Sequence, residues 1–336
     1  MYIRNQWYLA CLLDELKDKN PLEKKILNES MVIFRTESGK IGVIENRCCH
    51  RNVYLSLGTV AGEHIRCGYH GWEYGCEGSC QHIPSLPEGE RIPPSIKVKK
   101  YTFVIKYRSV WVWMGDANAD ESLLPPMPEM DTLPMVYNYH TLKADLPLVA
   151  ESLIDVYHIN HVHRNSIKTF MGNLYDEKVD FHLNVTDRAL TGHYLRNNDG
   201  SFFEQFYFGF NKKVETHFGF WFPNISKLDI RFRKRRMVIY EHFYQIDEEN
   251  ICMCQITLWE NILDFFPPFA RWFMLQKSIK IVREDLAFLE NNRQLKNLKD
   301  RADILLKADE VSIAFLQLWK RNTKNAEHET MVAKED

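Results

Sequence analysis

The chain of 336 residues is long enough for two domains of ordinary size, and 45% hydrophobic residues support sizeable cores rather than disorder. A formal net charge of −2 excludes a general nucleic-acid binder, and no uninterrupted apolar run reaches the roughly 18 residues of a membrane span. Eight cysteines in so long a chain do not read as a secreted disulfide scaffold, and the N-terminus MYIRNQWYLACLLDELKDKN does not read as a signal peptide, so a cytoplasmic setting is expected.

In chain order, Trp7 and Tyr8 precede an amphipathic segment. Met31–Arg35 and Ile41–Glu45 then read as a hairpin around Ser38-Gly39-Lys40. Two short pairs follow, Cys48-Cys49-His50 and Cys67-Gly68-Tyr69-His70. Two such turns facing each other supply two thiolates and two imidazoles. Thiolate is the soft ligand that iron–sulfur clusters need, and two Cys on one iron with two His on the other make a Rieske [2Fe-2S] centre. Gly58, Gly62, Gly68 and Gly71 suit tight turns around such a centre. Zinc is the alternative for a Cys₂His₂ set, although zinc fingers more often group Cys with Cys and His with His. Cys49 reads as a bystander thiol beside the centre, and Cys76 and Cys80 as bystander or buried thiols. Pro84, Pro87, Pro93 and Pro94 mark a loop, and Tyr101–Tyr107 and Val110–Met114 read as strands. Residues 1–118 are therefore expected to form an all-β domain with the cluster at its tip.

The Pro-rich stretch LLPPMPEM, with a further Pro at 134, reads as a linker over 119–138. Beyond it, Val179–Val185, Leu190–Leu195, Phe202–Phe210, Val214–Phe222, Met237–Ile246 and Ile251–Trp259 have strand character and imply one broad antiparallel sheet. Helical spacing then runs from Phe269 to about Lys296 and again from Ser312 to Lys320. A second domain over 139–320 and a frayed polar tail over 321–336 are the expectation.

Between linker and sheet lies a histidine-rich segment, Glu151 to His163. Asp155 and His158 are three apart, which on a helix places both on one face. His163 lies five further on, so the helix must bend or loosen for both rings to meet one metal. Two such His with a carboxylate from elsewhere form the 2-His-1-carboxylate triad of non-haem Fe(II) oxygenases. His161 reads as a surface or outer residue rather than a ligand.

The first pairs resemble the Rieske motif, Cys-X-His, sixteen residues, Cys-X-X-His, at all four ligands: Cys48, His50, Cys67 and His70. Asp155, His158 and His163 fall on the Asp-X-X-His-X₄-His motif of Rieske non-haem iron oxygenases. From Trp7 to about Lys320 the chain is in keeping with that family, and is most similar to its vanillate and dicamba O-demethylase branch. The resemblance implies an α+β fold: a Rieske domain, then a helix-grip (START-like) catalytic domain with an antiparallel sheet and a long C-terminal helix. It implies one [2Fe-2S] cluster and one Fe(II) per subunit. It transfers the third iron ligand to Asp285 in Arg283-Glu284-Asp285-Leu-Ala-Phe-Leu-Glu290, with Glu284 as the competing acid. Adjacent helical residues point about 100° apart, so one metal is not expected to take both. The family often has Asn where this chain has Ser152, preceded by Glu151.

The resemblance further implies a ring-shaped homotrimer in which an electron passes from His70 of one subunit through Asp155 to His158 of the next. A carboxylate accepting one hydrogen bond from each imidazole fixes both tautomers. No Gly-X-Gly-X-X-Gly opens a helix, so a separate ferredoxin or flavin reductase must supply electrons. The basic run Arg231–Arg236 reads either as a dock for an acidic ferredoxin or as a solvated strand face. The aromatics Phe202, Phe203, Phe206, Tyr207, Phe208, Phe218, Phe220, Trp221 and Phe222 suit an apolar or aromatic substrate, and equally any sheet core. The apolar segment Phe265–Met274 is expected to cap the pocket rather than rest on a membrane. The expected activity is O₂-dependent hydroxylation or oxidative demethylation. The rivals are a Rieske electron carrier and a hydrophobic-ligand-binding protein without turnover.

Overall fold

The computed structural model describes residues 2–16, 20–164, 166, 179–197, 213–232, 234–261, 266–296 and 304–332. It divides into two compact units, Met1–Leu124 with Ile246–Glu248, and Pro125–Gln245 with Glu249–Asp336. No helix among the described residues is long and apolar enough to cross a membrane.

The first unit is built from ten short strands: β1 (Gln6–Leu12), β2 (Leu22–Ile26), β3 (Glu29–Arg35), β4 (Ile41–Glu45), β5 (Thr59–Ala61), β6 (His64–Arg66), β7 (Glu73–Tyr74), β8 (Cys80–His82), β9 (Phe103–Lys106) and β10 (Ser109–Met114). β1 and β10 read QWYLACL and SVWVWM and are buried at every position. Such continuous apolar runs need cover on both faces. They pair antiparallel, and Trp7 meets Trp113 edge-on at 5.2 Å. The Cys67–His70 turn joins β6 to β7 of the small sheet β5-β6-β7-β8, and the Cys48–His50 turn follows β4 of the sheet β2-β3-β4. Beneath it Val32, Phe34, Ile44, Leu55, Ile65 and Tyr74 form one core with Cys48 and Cys67.

The second unit opens with a short helix, α1 (Glu129–Thr132), inside the stretch whose composition reads as a linker. Strand β11 (Met135–Leu142) follows, then helices α2 (Leu146–Ser152) and α3 (Ile159–Val162). The sheet continues with β12 (His182–Val185), β13 (Ala189–Asn197), β14 (Lys213–Trp221), β15 (Ile225–Phe232), β16 (Arg235–Gln245) and β17 (Ile251–Glu260). Seven antiparallel strands pair in the order β11-β17-β16-β15-β14-β13-β12. The strand expected over Phe202–Phe210 lies outside the described residues. β15 is a strand that sequence patterning did not flag. Its alternation sends Ser226, Leu228 and Ile230 to one face and Lys227, Asp229 and Arg231 to the other.

Helix α4 (Pro267–Lys296) and helix α5 (Glu310–Val332) cover the Ser226 face. Ala270 and Met274 of α4 pack on Val136 and Trp259. Phe315 of α5 meets Phe220 edge-on at 5.0 Å, and Trp319 does the same to Phe222 at 5.2 Å. α5 runs well past Lys320, where a polar composition had suggested a frayed tail. Phe266, just before α4, and Phe269 and Trp272 on it remain exposed, whereas Ala270 and Met274 of the same apolar segment are buried.

On the opposite face, buried Glu129 accepts hydrogen bonds from Lys227 at 2.9 Å, Arg236 at 2.5 Å and Tyr240 at 2.8 Å. Asp229 accepts from Arg231 at 2.9 Å and from Arg236 at 2.8 Å. Arg231 and Arg236 thus both bond the buried Asp229 carboxylate, while Arg231 and Lys234 of the same basic run remain exposed. Burial alone would push the Glu129 carboxyl up; the bonds from Lys227 and Tyr240 outweigh it and hold it at about 2. A depressed folded value means stability that is complete above the unfolded value and lost as pH falls through about 2. Glu129→Gln is therefore expected to cost about 3 kcal/mol at neutral pH, with most of that difference gone by pH 2, measured by urea denaturation of both proteins across pH.

Candidate metal centres

In the first unit the two ligand turns are held together by backbone. Cys67 N–H donates to Trp72 O at 2.8 Å and Gly71 N–H to Cys67 O at 3.1 Å, closing one turn; Cys48 N–H donates to Val53 O at 2.9 Å and closes the other. Gly71 holds φ at 74°, a region side chains rarely adopt. A Cβ on Gly58 would lie 2.0 Å from the carbonyl oxygen of Arg66, so only glycine allows the two loops to approach. Cys48 and Cys67 are 1% and 2% exposed. The rings of His50 and His70 stand 4.7 Å apart, and Trp72 stacks flat on His50 at 4.5 Å. Burial, His70 and Arg51 all push the His50 imidazole below its ordinary value, so the neutral ring, the form that binds metal, is favoured. His50 Nδ1 is shielded from solvent and has no hydrogen-bond partner. A neutral, orphaned imidazole nitrogen beside two buried thiols fits a cluster ligand set, because a buried polar atom without a partner is costly.

Sequence reasoning missed Tyr74. Its hydroxyl lies 3.2 Å from both Cys48 Sγ and Cys49 Sγ. Cys49 therefore sits directly beside the ligand set. The signal was local: Tyr74 follows His70 by four residues, but only the β6-β7 pairing turns it inward. Cys76 and Cys80 remain free thiols, as do all eight cysteines.

In the second unit the histidine segment is not one helix. α2 ends at Ser152, and the chain loosens before α3. His158 caps the start of α3 and His163 its end, where φ is −94° and ψ is 24°. That break aims two rings, 5.3 Å apart, at one point. Asp285 of α4 completes the set: one donor atom from each of His158, His163 and Asp285 lies within 4.8 Å of the others. Asp285 Oδ1 is 3.1 Å from His163 Nε2 and 3.6 Å from His158 Nε2. Donors this close, two nitrogens and a carboxylate, suit a small divalent cation.

Glu284 faces the same imidazole from the other side. Its Oε2 accepts from His163 Nδ1 at 3.0 Å and from the Ser166 hydroxyl. The two adjacent acids thus address opposite nitrogens of one ring rather than one metal. A proton on Nδ1 leaves the Nε2 lone pair turned toward Asp285. Burial pushes the His163 imidazole down, but Asp285 and Glu284 outweigh it and hold it above its ordinary value. Asp155 is adjacent: its Oδ2 lies 3.5 Å from His158 Nδ1, an electrostatic contact rather than a full hydrogen bond, and its Oδ1 accepts from Tyr157 N–H at 2.9 Å. Burial raises the Asp155 carboxyl, and His158 more than reverses this. Ser152 donates its hydroxyl to Val149 O within its own helix, and His161 is exposed.

Residues 6–102 match the Rieske [2Fe-2S] domain family, and residues 142–324 match the vanillate O-demethylase oxygenase C-terminal domain family. The toluene-4-sulfonate monooxygenase system iron-sulfur subunit of Comamonas testosteroni is 35% identical over 175 residues, 50% of this chain and 49% of that protein. The vanillate O-demethylase oxygenase subunit of a Pseudomonas strain is 37% identical over 171 residues, 50% of this chain and 47% of that one. The matches thus span about half the length of these relatives. Among solved structures, dicamba monooxygenase bound to 3,6-dichlorosalicylic acid superposes with a TM-score of 0.83 at 21% identity, covering 98% of this chain and 99% of the other.

The Gly58–Arg66 approach gives a direct check. Gly58→Ala is expected to lower iron and acid-labile sulfide per chain by half or more and to bleach the visible spectrum of the cluster. Cluster content equal to the wild type would mean the loops need no such approach.

Proposed function

The chain belongs to the vanillate O-demethylase oxygenase family of Rieske proteins, and we propose that it is the terminal oxygenase component of a multi-component monooxygenase. It uses O₂ to hydroxylate, or oxidatively demethylate, a small, largely apolar or aromatic substrate. The observation that carries this reading is the convergence of His158, His163 and Asp285 in a chain that also holds the two Cys/His pairs. An electron carrier or a binding module has no need of a second set of convergent donors.

Cys48, His50, Cys67 and His70 would hold the cluster, their two thiolates and two imidazoles supplying the ligand set that such a centre takes. His158, His163 and Asp285 hold Fe(II), which when bound supplies open coordination positions for O₂. The remaining work falls to the protein. Glu284 keeps the proton of His163 on Nδ1 and so keeps Nε2 available. Ser166 fixes Glu284 in turn. Asp155 orients His158 and keeps part of its carboxylate open to solvent, which suits a bridge to His70 of a second copy in a homotrimer. Electrons come from a separate ferredoxin or flavin reductase.

The reading predicts about three irons per holo-chain, two in the cluster and one at the triad. His163→Ala should leave about two, with the cluster spectrum intact. A wild-type chain that holds only two irons would sink the oxygenase reading and favour an electron carrier.

Two further variants separate holding from bridging. Glu284→Gln is expected to weaken Fe(II) retention by about 10–100-fold, read by chelator competition. Asp155→Asn should keep both metal sites filled yet abolish turnover with a surrogate reductase. Normal turnover by that variant would remove Asp155 from the electron route.

A further inference from the structure

One buried carboxyl on the helix-covered face of the sheet is used by nothing described so far. Glu241 lies on β16 in the cross-strand row Phe220, Ser226, Glu241, Gln255 and Asn138. This face lies under α4, the helix that carries Asp285. Glu241 is 7% exposed, and Ile239 and Phe243, two residues to either side on the same face, make its surroundings apolar.

The carboxyl is held, not loose. The Ser226 hydroxyl donates to Oε2 at 2.5 Å and the Gln255 amide donates to Oε1 at 3.3 Å. Gln255 accepts in turn from the Ser278 hydroxyl of α4, which also accepts from Asn138 Nδ2 at 2.6 Å. Ser278 is seven residues, two helical turns, before Asp285, so the two lie on the same side of α4. A hydrogen-bonded chain therefore links Glu241 to the helical face that presents the iron ligand. The Asp285 charge is felt at Glu241 and, after burial, adds to what pushes its carboxyl up to about 7.

Among the described residues the hydrogen bonds to Glu241 come only from Ser226 and Gln255, and no ion pair reaches it. Its own row holds only Ser, Gln, Asn and Phe beside it, and one neighbouring row, Phe218, Leu228, Ile239, Thr257 and Val136, carries no charge. The other neighbouring row holds Phe243, Met253 and His140, whose ring contacts Asn138 rather than Glu241 and is pushed below its ordinary value by burial. A carboxylate has about four lone-pair sites, and only two donors reach it here. Taking a carboxyl out of water without a counter-charge is costly unless something arrives to complete it. Serine or glutamine would have satisfied the row at less cost.

We infer that Glu241 is the polar anchor of the substrate site, and that the substrate is an apolar ring compound bearing a protonated amine or N–H donor rather than a carboxylate or sulfonate. Such a group supplies the missing partner of Glu241. An anionic group would meet Glu241 and Asp285 together. This assignment rests on the oxygenase reading only for placing the substrate near Asp285.

The test uses three matched probes on the iron-loaded, cluster-containing protein without oxygen: 4-methoxybenzylamine, 4-methoxybenzyl alcohol and 4-methoxybenzoate, titrated by calorimetry. The amine is expected to bind at least about tenfold more tightly than the benzoate. In Glu241→Gln, which keeps the shape and the hydrogen bonds, that ratio should fall to near one while iron content stays unchanged. A benzoate that binds as well as the amine, or no measurable preference in the wild type, overturns the anchor. So does a Glu241→Gln protein with an unaltered ratio. Should the variant fold poorly, the wild-type ratio alone still decides. The two readings fail separately. Two irons per chain with the amine preference intact would sink the oxygenase and spare the anchor; three irons and turnover without the preference would do the reverse.

Discussion

The candidate iron site depends on one imidazole held from both sides. His163 is only 2% exposed, so both ring nitrogens need partners inside the protein. Glu284 takes Nδ1 at 3.0 Å and Asp285 faces Nε2 at 3.1 Å. Two consecutive residues on a helix point in different directions, and only a ring set edge-on between them meets both. This fixes the rotation of α4 about its own axis to within a fraction of a turn. Rotating α4 by one residue would leave a buried nitrogen orphaned and a carboxylate facing apolar surface.

That rotation is set by the sheet. Ser278 ties α4 to Gln255 and Asn138, and Ala270 and Met274 seat it on Val136 and Trp259. Three contacts spaced along one helical face leave little freedom for the turn that bears Glu284 and Asp285. The order of dependence thus runs from strand register, through helix packing, to donor geometry. A rigid element places the carboxylate, while the loosened chain between α2 and α3 supplies the two imidazoles, which is where a bend is needed.

Legibility in the sequence followed locality. Cys48, His50, Cys67 and His70 sit within two short turns, so their donor types and spacing were readable before any fold was known; the strands and the α4 segment followed from apolar periodicity, and the fold class came with the family resemblance. The bend at Asp155–His163 was also foreseeable, because no straight helix serves residues five apart. Asp285 came from a family motif alone, since nothing local joins it to residues more than a hundred positions earlier. The role of Glu284 was hidden for the same reason: it needs the rotation of α4, which no spacing encodes. β15 was missed because Lys227, Asp229 and Arg231 make it look like exposed chain, whereas Lys227 bonds buried Glu129 and Arg231, itself exposed, bonds buried Asp229. Charge on a strand marks the surface only when no partner waits for it.

The two faces of the seven-stranded sheet treat buried carboxyls in opposite ways. On one face Glu129 and Asp229 are surrounded by Lys227, Arg231 and Arg236, and both are held at about 2. On the other, Glu241 has donors but no cation and is pushed up to about 7. The same chemical group, in the same sheet, is stabilising in one setting and costly in the other. Pairing accounts for the first case within the folded chain alone. The second lacks such an account, because a neutral side chain would complete the Ser226–Gln255 row more favourably. A destabilising group held in place by its own hydrogen bonds, on the face that carries Asp285, is what a binding site requires and a structural core avoids.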